Sequence, residues 1–159
     1  MQPQSQSNWC WAAVAASIAA YFDRYTQQTQ CLIAGAQLHR KNCCGADANG
    51  PCNVYGFLAS ALHRVRHLQA WYPSVAASFT DVQAELDGGR PLCARVAWSS
   101  GGAHFITIIG YLPDSSALAG SQLIAIEDPL WGHSDVPYEV LRTGYLQDGC
   151  WTDSYFTKE

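Results

Sequence analysis

The chain has 159 residues, of which 48% are hydrophobic and 14% charged, and its formal net charge is −4. This length suits a single domain with a sizeable buried core. The negative balance argues against a general nucleic-acid binder, which would present a basic face. The longest apolar run, 9–22, is too short and too rich in alanine to cross a membrane. We therefore expect one globular domain, 1–159, that binds neither nucleic acid nor membrane. We also expect this domain to be a fragment of a longer chain.

The first part of the chain is predicted to be helical. Residues 9–22 contain many alanines and no glycine or proline, and Ser7 or Asn8 can cap the start of this helix. A second helix is predicted over 27–40, and a third over 54–69, where apolar residues recur at helical spacing. The intervening "NCCGADANGPCN" combines residues that are typical of a loop.

The second part of the chain changes to the patterns of a sheet. "TDVQAELDGG" predicts a short helix, with a capping box of Thr80 and Gln83 at its start and Gly88 at its end. Runs rich in isoleucine and valine, followed by weaker signals in the tail, then predict five strands. These strands are expected at 91–98, 104–111, 122–129, 136–141 and 150–157.

Helices followed by strands predict an α+β domain with two segregated halves. The helical half covers about 9–70 and the sheet half about 90–157. The sequence contains no internal repeat and no low-complexity tract, so both halves belong to one domain.

Seven cysteines leave one outside any complete set of pairs. Four of them lie close together, and we expect disulfides within this cluster. Reduced, buried thiols are the alternative. A zinc site that includes His39 is disfavoured, because no CxxC pair is present. The clustered cysteines are Cys31, Cys43, Cys44 and Cys52.

Cys10 stands between two tryptophans at the start of the first predicted helix. The N-terminus of a helix stabilises a thiolate, and its unpaired N–H groups can hold an oxyanion. A thiol nucleophile also needs a base, which is most often histidine. Taken alone, a cysteine in such a position is usually structural, so a functional interpretation depends on the rest of the chain.

His104 begins one predicted strand and Asp128 ends the next, and the connection between them is centred near Ser116. If the two strands form an antiparallel hairpin about that centre, His104 and Asp128 become cross-strand neighbours. A carboxylate in that place can orient an imidazole. Each residue alone has an ordinary explanation, such as a turn for an aspartate before proline.

Three segments, "QSQSNWCWAA", "GGAHFITIIGY" and "IEDPLWG", resemble the papain-like cysteine proteases, above all a bacterial secreted and effector branch with a Trp-Cys-Trp-Ala motif. The resemblance implies a papain-like fold with a cleft between the two halves. It also implies that Cys10 is the nucleophile, His104 the base and Asp128 the third member of a triad. Gln4, six residues before the nucleophile, matches the family's oxyanion-hole glutamine, and Gln6 is its fallback.

The same resemblance implies a cysteine endopeptidase that acts on protein substrates with no metal or cofactor. Its setting would be that of a bacterial effector or toxin, secreted or delivered into a target cell, with an immunity or inhibitor protein as a further partner. The same triad also serves glutamine deamidases and acyl or transglutaminase-type transferases, and a catalytically idle binding module is a third possibility. Three tryptophans are expected to line the cleft: Trp9, Trp98 and Trp131.

Overall fold

A computed structural model describes residues 1–112 and 122–159 of the chain. Three helices come first, followed by a mixed region in which strands predominate. The helices are α1 (Cys10–Phe22), α2 (Gln30–Leu38), α3 (Leu58–Arg64), α4 (Phe79–Asp87) and α5 (Tyr138–Thr143). The strands are β1 (Leu68–Tyr72), β2 (Leu92–Ala97), β3 (Ala103–Leu112), β4 (Leu123–Asp128), β5 (Gly132–Pro137) and β6 (Cys150–Thr157).

The strands form one six-stranded sheet in the order β1-β6-β2-β3-β4-β5, and all neighbours are antiparallel. This arrangement confirms the predicted α+β class and is consistent with a papain-like fold. Of the described helices, none is both long and apolar enough to span a bilayer.

Helix α1 is the centre of the helical half. Trp11 and the next five residues, Ala12 to Ala16, are completely buried. The small side chains of the four alanines in this stretch allow α2, α3 and β3 to pack closely around the helix. The apolar core of this half reaches the sheet through Phe105 and Tyr155, whereas a second apolar core fills the other face of the sheet under α4 and α5. Helix α1 is therefore held on several sides, and its first residue is fixed in place.

Several predicted helix boundaries were wrong. The helix predicted over 54–69 is shorter, Leu58–Arg64, and is followed by strand β1. Leu68 pairs with Thr157, so this apolar stretch completes the edge of the sheet next to β6 instead of extending a helix. The helix predicted over 27–40 begins only after Thr29, whose hydroxyl caps it.

The signals at the ends of two other elements were also misassigned. The capping box of α4 is formed by Ser78 and Asp81, two residues before the predicted pair of Thr80 and Gln83. The tail segment predicted as a strand over 136–141 is mostly helix α5. Strand β5 ends at Pro137, because proline has no N–H to donate to a sheet ladder.

Candidate active site

Cys10 is the first residue of α1 and is only 4% exposed. The residue before it, Trp9, occupies the N-cap position, and no side chain caps the helix. The predicted caps were therefore wrong: Asn8 instead donates from its backbone N–H and its side chain to Asn53, and Asn53 donates to the Ser7 hydroxyl. The first-turn N–H groups remain without side-chain acceptors, which suits a helix end that is to hold an anion.

A disulfide-bonded loop holds the segment around Cys10. The bonds join Cys31 to Cys44 and Cys43 to Cys52. The Trp9 indole donates to the Cys52 carbonyl at 2.7 Å, and further along the same loop Val54 accepts from the Trp11 indole at 3.2 Å. The loop thus fixes both tryptophans that flank the thiol.

Three cysteines are free: Cys10, Cys93 and Cys150. Cys93 is completely buried, and burial raises the pKa of its thiol to about 12. Such a thiol is unreactive at neutral pH. Cys150 is exposed on β6, so a test of reactivity can compare three thiols in three different environments.

His104 lies between Cys10 and Asp128. Its Nε2 is 2.8 Å from Asp128 Oδ1, and the Cys10 thiol is the second neighbour that favours the charged form of the ring. Because Asp128 occupies Nε2, Nδ1 is the nitrogen left for the thiol. Burial lowers the pKa of His104, but the bond to Asp128 and the neighbouring Cys10 outweigh burial and raise the pKa to about 9. The imidazole is therefore held in its charged form at neutral pH.

Asp128 is buried and has four hydrogen-bond donors. Its Oδ1 accepts from His104 and from the backbone N–H groups of Leu130 at 2.7 Å and Trp131 at 3.1 Å. Its Oδ2 accepts from the Tyr145 hydroxyl at 2.9 Å. Burial opposes ionisation, but the bonds from His104 and the two N–H groups lower the pKa of the carboxyl. Asp128 is consequently an anion with a fixed orientation.

Tyr145 was missed by sequence reasoning. It lies between α5 and β6 and is buried, and burial together with the neighbouring Asp128 raises the pKa of its hydroxyl. The only available signal was general: a buried tyrosine hydroxyl usually finds a hydrogen-bond partner. The sequence does not indicate which partner that is.

The predicted hairpin brings His104 and Asp128 together by a different register from the one expected. The ladder between β3 and β4 ends at the pair Thr107–Glu127, and an irregularity follows Ile108. His104 therefore has no partner in β4. On the other side of β3 it pairs with Val96 of β2. The contact to Asp128 is thus made by side chains beyond the ladder. The predicted centre of the hairpin near Ser116 falls outside the described residues.

Gln4 lies beside the turn that follows Asp128, because its backbone N–H donates to the Pro129 carbonyl at 2.8 Å. Its side-chain Nε2 donates to the carbonyls of Gln6 and Ser7, while its buried Oε1 has no partner among the described residues. Gln6, the fallback, accepts through its backbone carbonyl from Trp9 N–H and Gln4. The Gln4 backbone is therefore held next to the turn that follows Asp128, whereas its side-chain amide is bonded to backbone oxygens.

Of the three tryptophans expected in the cleft, only Trp131 lies against His104. Its indole contacts the His104 ring edge to face at 5.6 Å between centroids, and the side chain is half-exposed. Trp9 is 1% exposed and belongs to the core. Trp98 packs against the second apolar core of the sheet half. None of the three, Trp131 included, lines the cavity beside Cys10.

A cavity of about 620 Å³ opens beside Cys10, between the helical half and the sheet. Its helical rim carries Tyr55 and Phe57, both about three-quarters exposed, on either side of Gly56. Gly56 lies so close to the Trp11 ring that an added Cβ would approach it to 2.3 Å. The cavity thus forms a groove with aromatic side chains at its rim and the thiol at its base.

A family model described as "Papain-like cysteine protease AvrRpt2" matches residues 1–136. The match spans Cys10, His104 and Asp128 and stops short of Tyr145. No curated protein matches the chain.

Proposed function

The chain belongs to the family of the papain-like cysteine protease AvrRpt2, and from that premise we propose that it is an endopeptidase with Cys10, His104 and Asp128 as its triad. One observation carries this assignment, namely that a single imidazole has a thiol at a helix N-terminus as one neighbour and a buried carboxylate, 2.8 Å away, as the other. The family membership itself makes the chain a cysteine protease and hydrolase.

In the first half of the reaction, Cys10 Sγ attacks the carbonyl carbon of the scissile peptide bond as a thiolate. The thiol proton resides on His104 Nδ1 and is passed to the leaving amine when the C–N bond breaks. The product is a thioester between Cys10 and the substrate acyl group. A water molecule then attacks the thioester and gives a proton to His104. Breaking the C–S bond releases the carboxylic acid and restores the Cys10 thiolate beside the charged imidazole.

Asp128 stabilises the imidazolium that exists before attack and fixes the ring orientation. Two features support this role, the 2.8 Å bond to Nε2 and the complete hydrogen bonding of the carboxylate. Trp131 shields the His104–Asp128 bond from water on one side. A pair shielded in this way interacts more strongly than it would in solvent.

The oxyanion of the tetrahedral intermediate is proposed to lie at the N-terminus of α1, where the Cys10 backbone N–H is directed toward it. The uncapped start of the helix supports this placement. Gln4 is proposed as the second donor. Its Nε2 now donates to the carbonyls of Gln6 and Ser7, so one of these bonds must be exchanged for the oxyanion during the reaction.

The proposed setting is that of a secreted bacterial effector or toxin. The two disulfides support it, because such bonds form and persist in oxidising compartments and are rare in the cytosol. Intact mass spectrometry with and without a reductant tests this point. The expected change on reduction is the mass of four hydrogen atoms, whereas a single mass under both conditions would contradict it.

The endopeptidase assignment is tested by incubating the purified protein with an unfolded protein substrate and recording product masses. We expect cut chains with the wild type and with Cys150→Ala, and none with Cys10→Ala. An intact substrate that carries the mass shift of deamidation would contradict hydrolysis in favour of a glutamine deamidase. A substrate that is bound but unmodified would instead indicate a binding module.

A further inference from the structure

Arg95 lies on the wall of the cavity beside Cys10, one residue along β2 from the partner of His104. In the sheet it pairs with Phe105 of β3 on one side and with Asp153 of β6 on the other. Arg95 and Asp153 are the two charged residues among the described ones that line this cavity. The electrostatic preference of the groove therefore depends on how these two side chains are bonded.

The Asp153 carboxylate already accepts three hydrogen bonds. Its Oδ2 accepts from the Thr152 hydroxyl at 2.6 Å and from Arg95 Nη1 at 3.4 Å, and its Oδ1 accepts from the Ser74 N–H at 3.4 Å. Its side chain is only 13% exposed. A positively charged substrate side chain would therefore find few free lone pairs on Asp153.

The Arg95 guanidinium is engaged on one nitrogen only. Its Nη1 donates to the Thr152 hydroxyl at 2.8 Å and to Asp153. Within residues 1–112 and 122–159, its Nε and Nη2 make no hydrogen bond, and its side chain is 35% exposed. Arginine can bind a carboxylate through two parallel N–H···O bonds. Of the two charged side chains in the cavity, Arg95 consequently offers an incoming ligand unused donors, whereas Asp153 is largely occupied.

The rest of the cavity is largely aromatic. Trp71 stacks on Tyr155 with parallel rings 6.1 Å apart, and Tyr55 and Phe57 stand on the opposite rim. Water is partly displaced from such a groove by a bound peptide, which strengthens a charge-assisted hydrogen bond. We propose that Arg95 selects an acidic side chain of the substrate near the scissile bond, so that the substrates are polypeptides with Glu or Asp among apolar residues. This inference rests on the proposed function of the same cleft.

The first experiment measures binding without turnover. Fluorescent peptides that carry Glu at one position and otherwise apolar or small residues are titrated onto Cys10→Ala, together with matched peptides that carry the isosteric Gln. Scanning the position along the peptide identifies the site that faces Arg95. We expect Kd to be about tenfold lower for Glu than for Gln at one position, which is the lower end for a hydrogen bond to a charged group. High salt should reduce this preference, because Arg95 is partly exposed.

Variants on the same background then assign the preference to Arg95. Arg95→Gln should abolish it, and Arg95→Lys, which keeps the charge, should retain part of it. Arg142→Gln is the matched control, since Arg142 is an exposed arginine paired with Glu139. Thermal unfolding of each variant checks that the fold is intact. Equal Kd values for Glu and Gln at every position, or an undiminished preference in Arg95→Gln, would overturn the inference.

A turnover experiment separates this inference from the proposed function. In the wild type, kcat/KM for the Glu and Gln peptides should reproduce the binding preference. If the wild type cuts no peptide while Cys10→Ala still prefers Glu through Arg95, the proposed function fails and the acidic-ligand site stands. If the wild type cuts peptides without regard to Glu, the proposed function stands and the Arg95 inference fails.

Discussion

Replacing Tyr145 with phenylalanine removes one hydroxyl and leaves the ring in place. In the wild type that hydroxyl donates to Asp128 Oδ2 at 2.9 Å, and Oδ2 has no other partner among the described residues. Tyr145 is 4% exposed and Asp128 is 1% exposed, so solvent cannot replace the lost donor. Leaving a buried acceptor unsatisfied costs about 1–3 kcal/mol, with the higher figures for charged groups. We expect the free energy of unfolding of Tyr145→Phe to fall by that amount.

The same change should lower activity, because Asp128 holds His104 through its other oxygen. A carboxylate that has lost one anchor can rotate, so fewer molecules hold the imidazole in the orientation that proton transfer requires. We expect kcat to fall about tenfold, equivalent to about 1.4 kcal/mol, with little change in KM. Since the hydroxyl favours the ionised carboxylate, its loss raises the pKa of Asp128, and acid unfolding should begin at a higher pH in the variant.

Tyr138→Phe is the matched control. Tyr138 is equally buried, and its hydroxyl donates at 2.8 Å to the Ala77 backbone carbonyl instead of to Asp128. Chemical denaturation and steady-state kinetics on a peptide substrate measure both variants. The control should lose about 1 kcal/mol of stability and keep its kcat. If the two variants have the same kcat, Tyr145 is a structural residue and the positioning argument is refuted.

Three further predictions concern other parts of the site. Because the pKa of His104 is raised to about 9, the imidazole stays charged and paired with Asp128 until the pH approaches 9. The value of kcat/KM should therefore fall on the alkaline side near pH 9, and a fall near 6.5, the ordinary pKa of histidine, would contradict the raised value. Gln4→Ala should lower kcat by about 100- to 1000-fold while Gln6→Ala changes it little, and the reverse order would assign the donor to Gln6. Replacing Cys43 and Cys52 together with serine should lower the free energy of unfolding by about 2–4 kcal/mol, whereas an unchanged denaturation midpoint would show that this disulfide does not stabilise the fold.

Strong periodic signals predicted most of the fold correctly. Four elements lie close to their predicted positions. They are the alanine-rich helix α1, the neighbouring strands β2 and β3, and the final strand β6. Strand β1 was missed because its strand character comes from pairing with β6, more than eighty residues later in the chain. Local propensity cannot report such a partner.

Spacing alone suggested that His104 and Asp128 would be close, although the register that brings them together differs from a symmetric hairpin. The partners of the cysteines could not be chosen from the sequence, since four cysteines allow three pairings. Tyr145 was out of reach for a similar reason. Its contact to Asp128 depends on how α5 and β6 pack against the sheet, which no local pattern encodes.

The central claim is that Cys10 is the nucleophile of this site, and thiol alkylation tests it most directly. The native protein is treated with less than one equivalent of iodoacetamide, and the modified residue is identified by peptide mapping alongside the residual activity. Accessibility alone would direct the reagent to Cys150, because Cys10 is only 4% exposed and Cys93 is completely buried. We predict that Cys10 is alkylated first, in proportion to the loss of activity, and that His104→Ala abolishes this preference. Alkylation of Cys150 first, with activity retained after Cys10 is modified, would contradict the account.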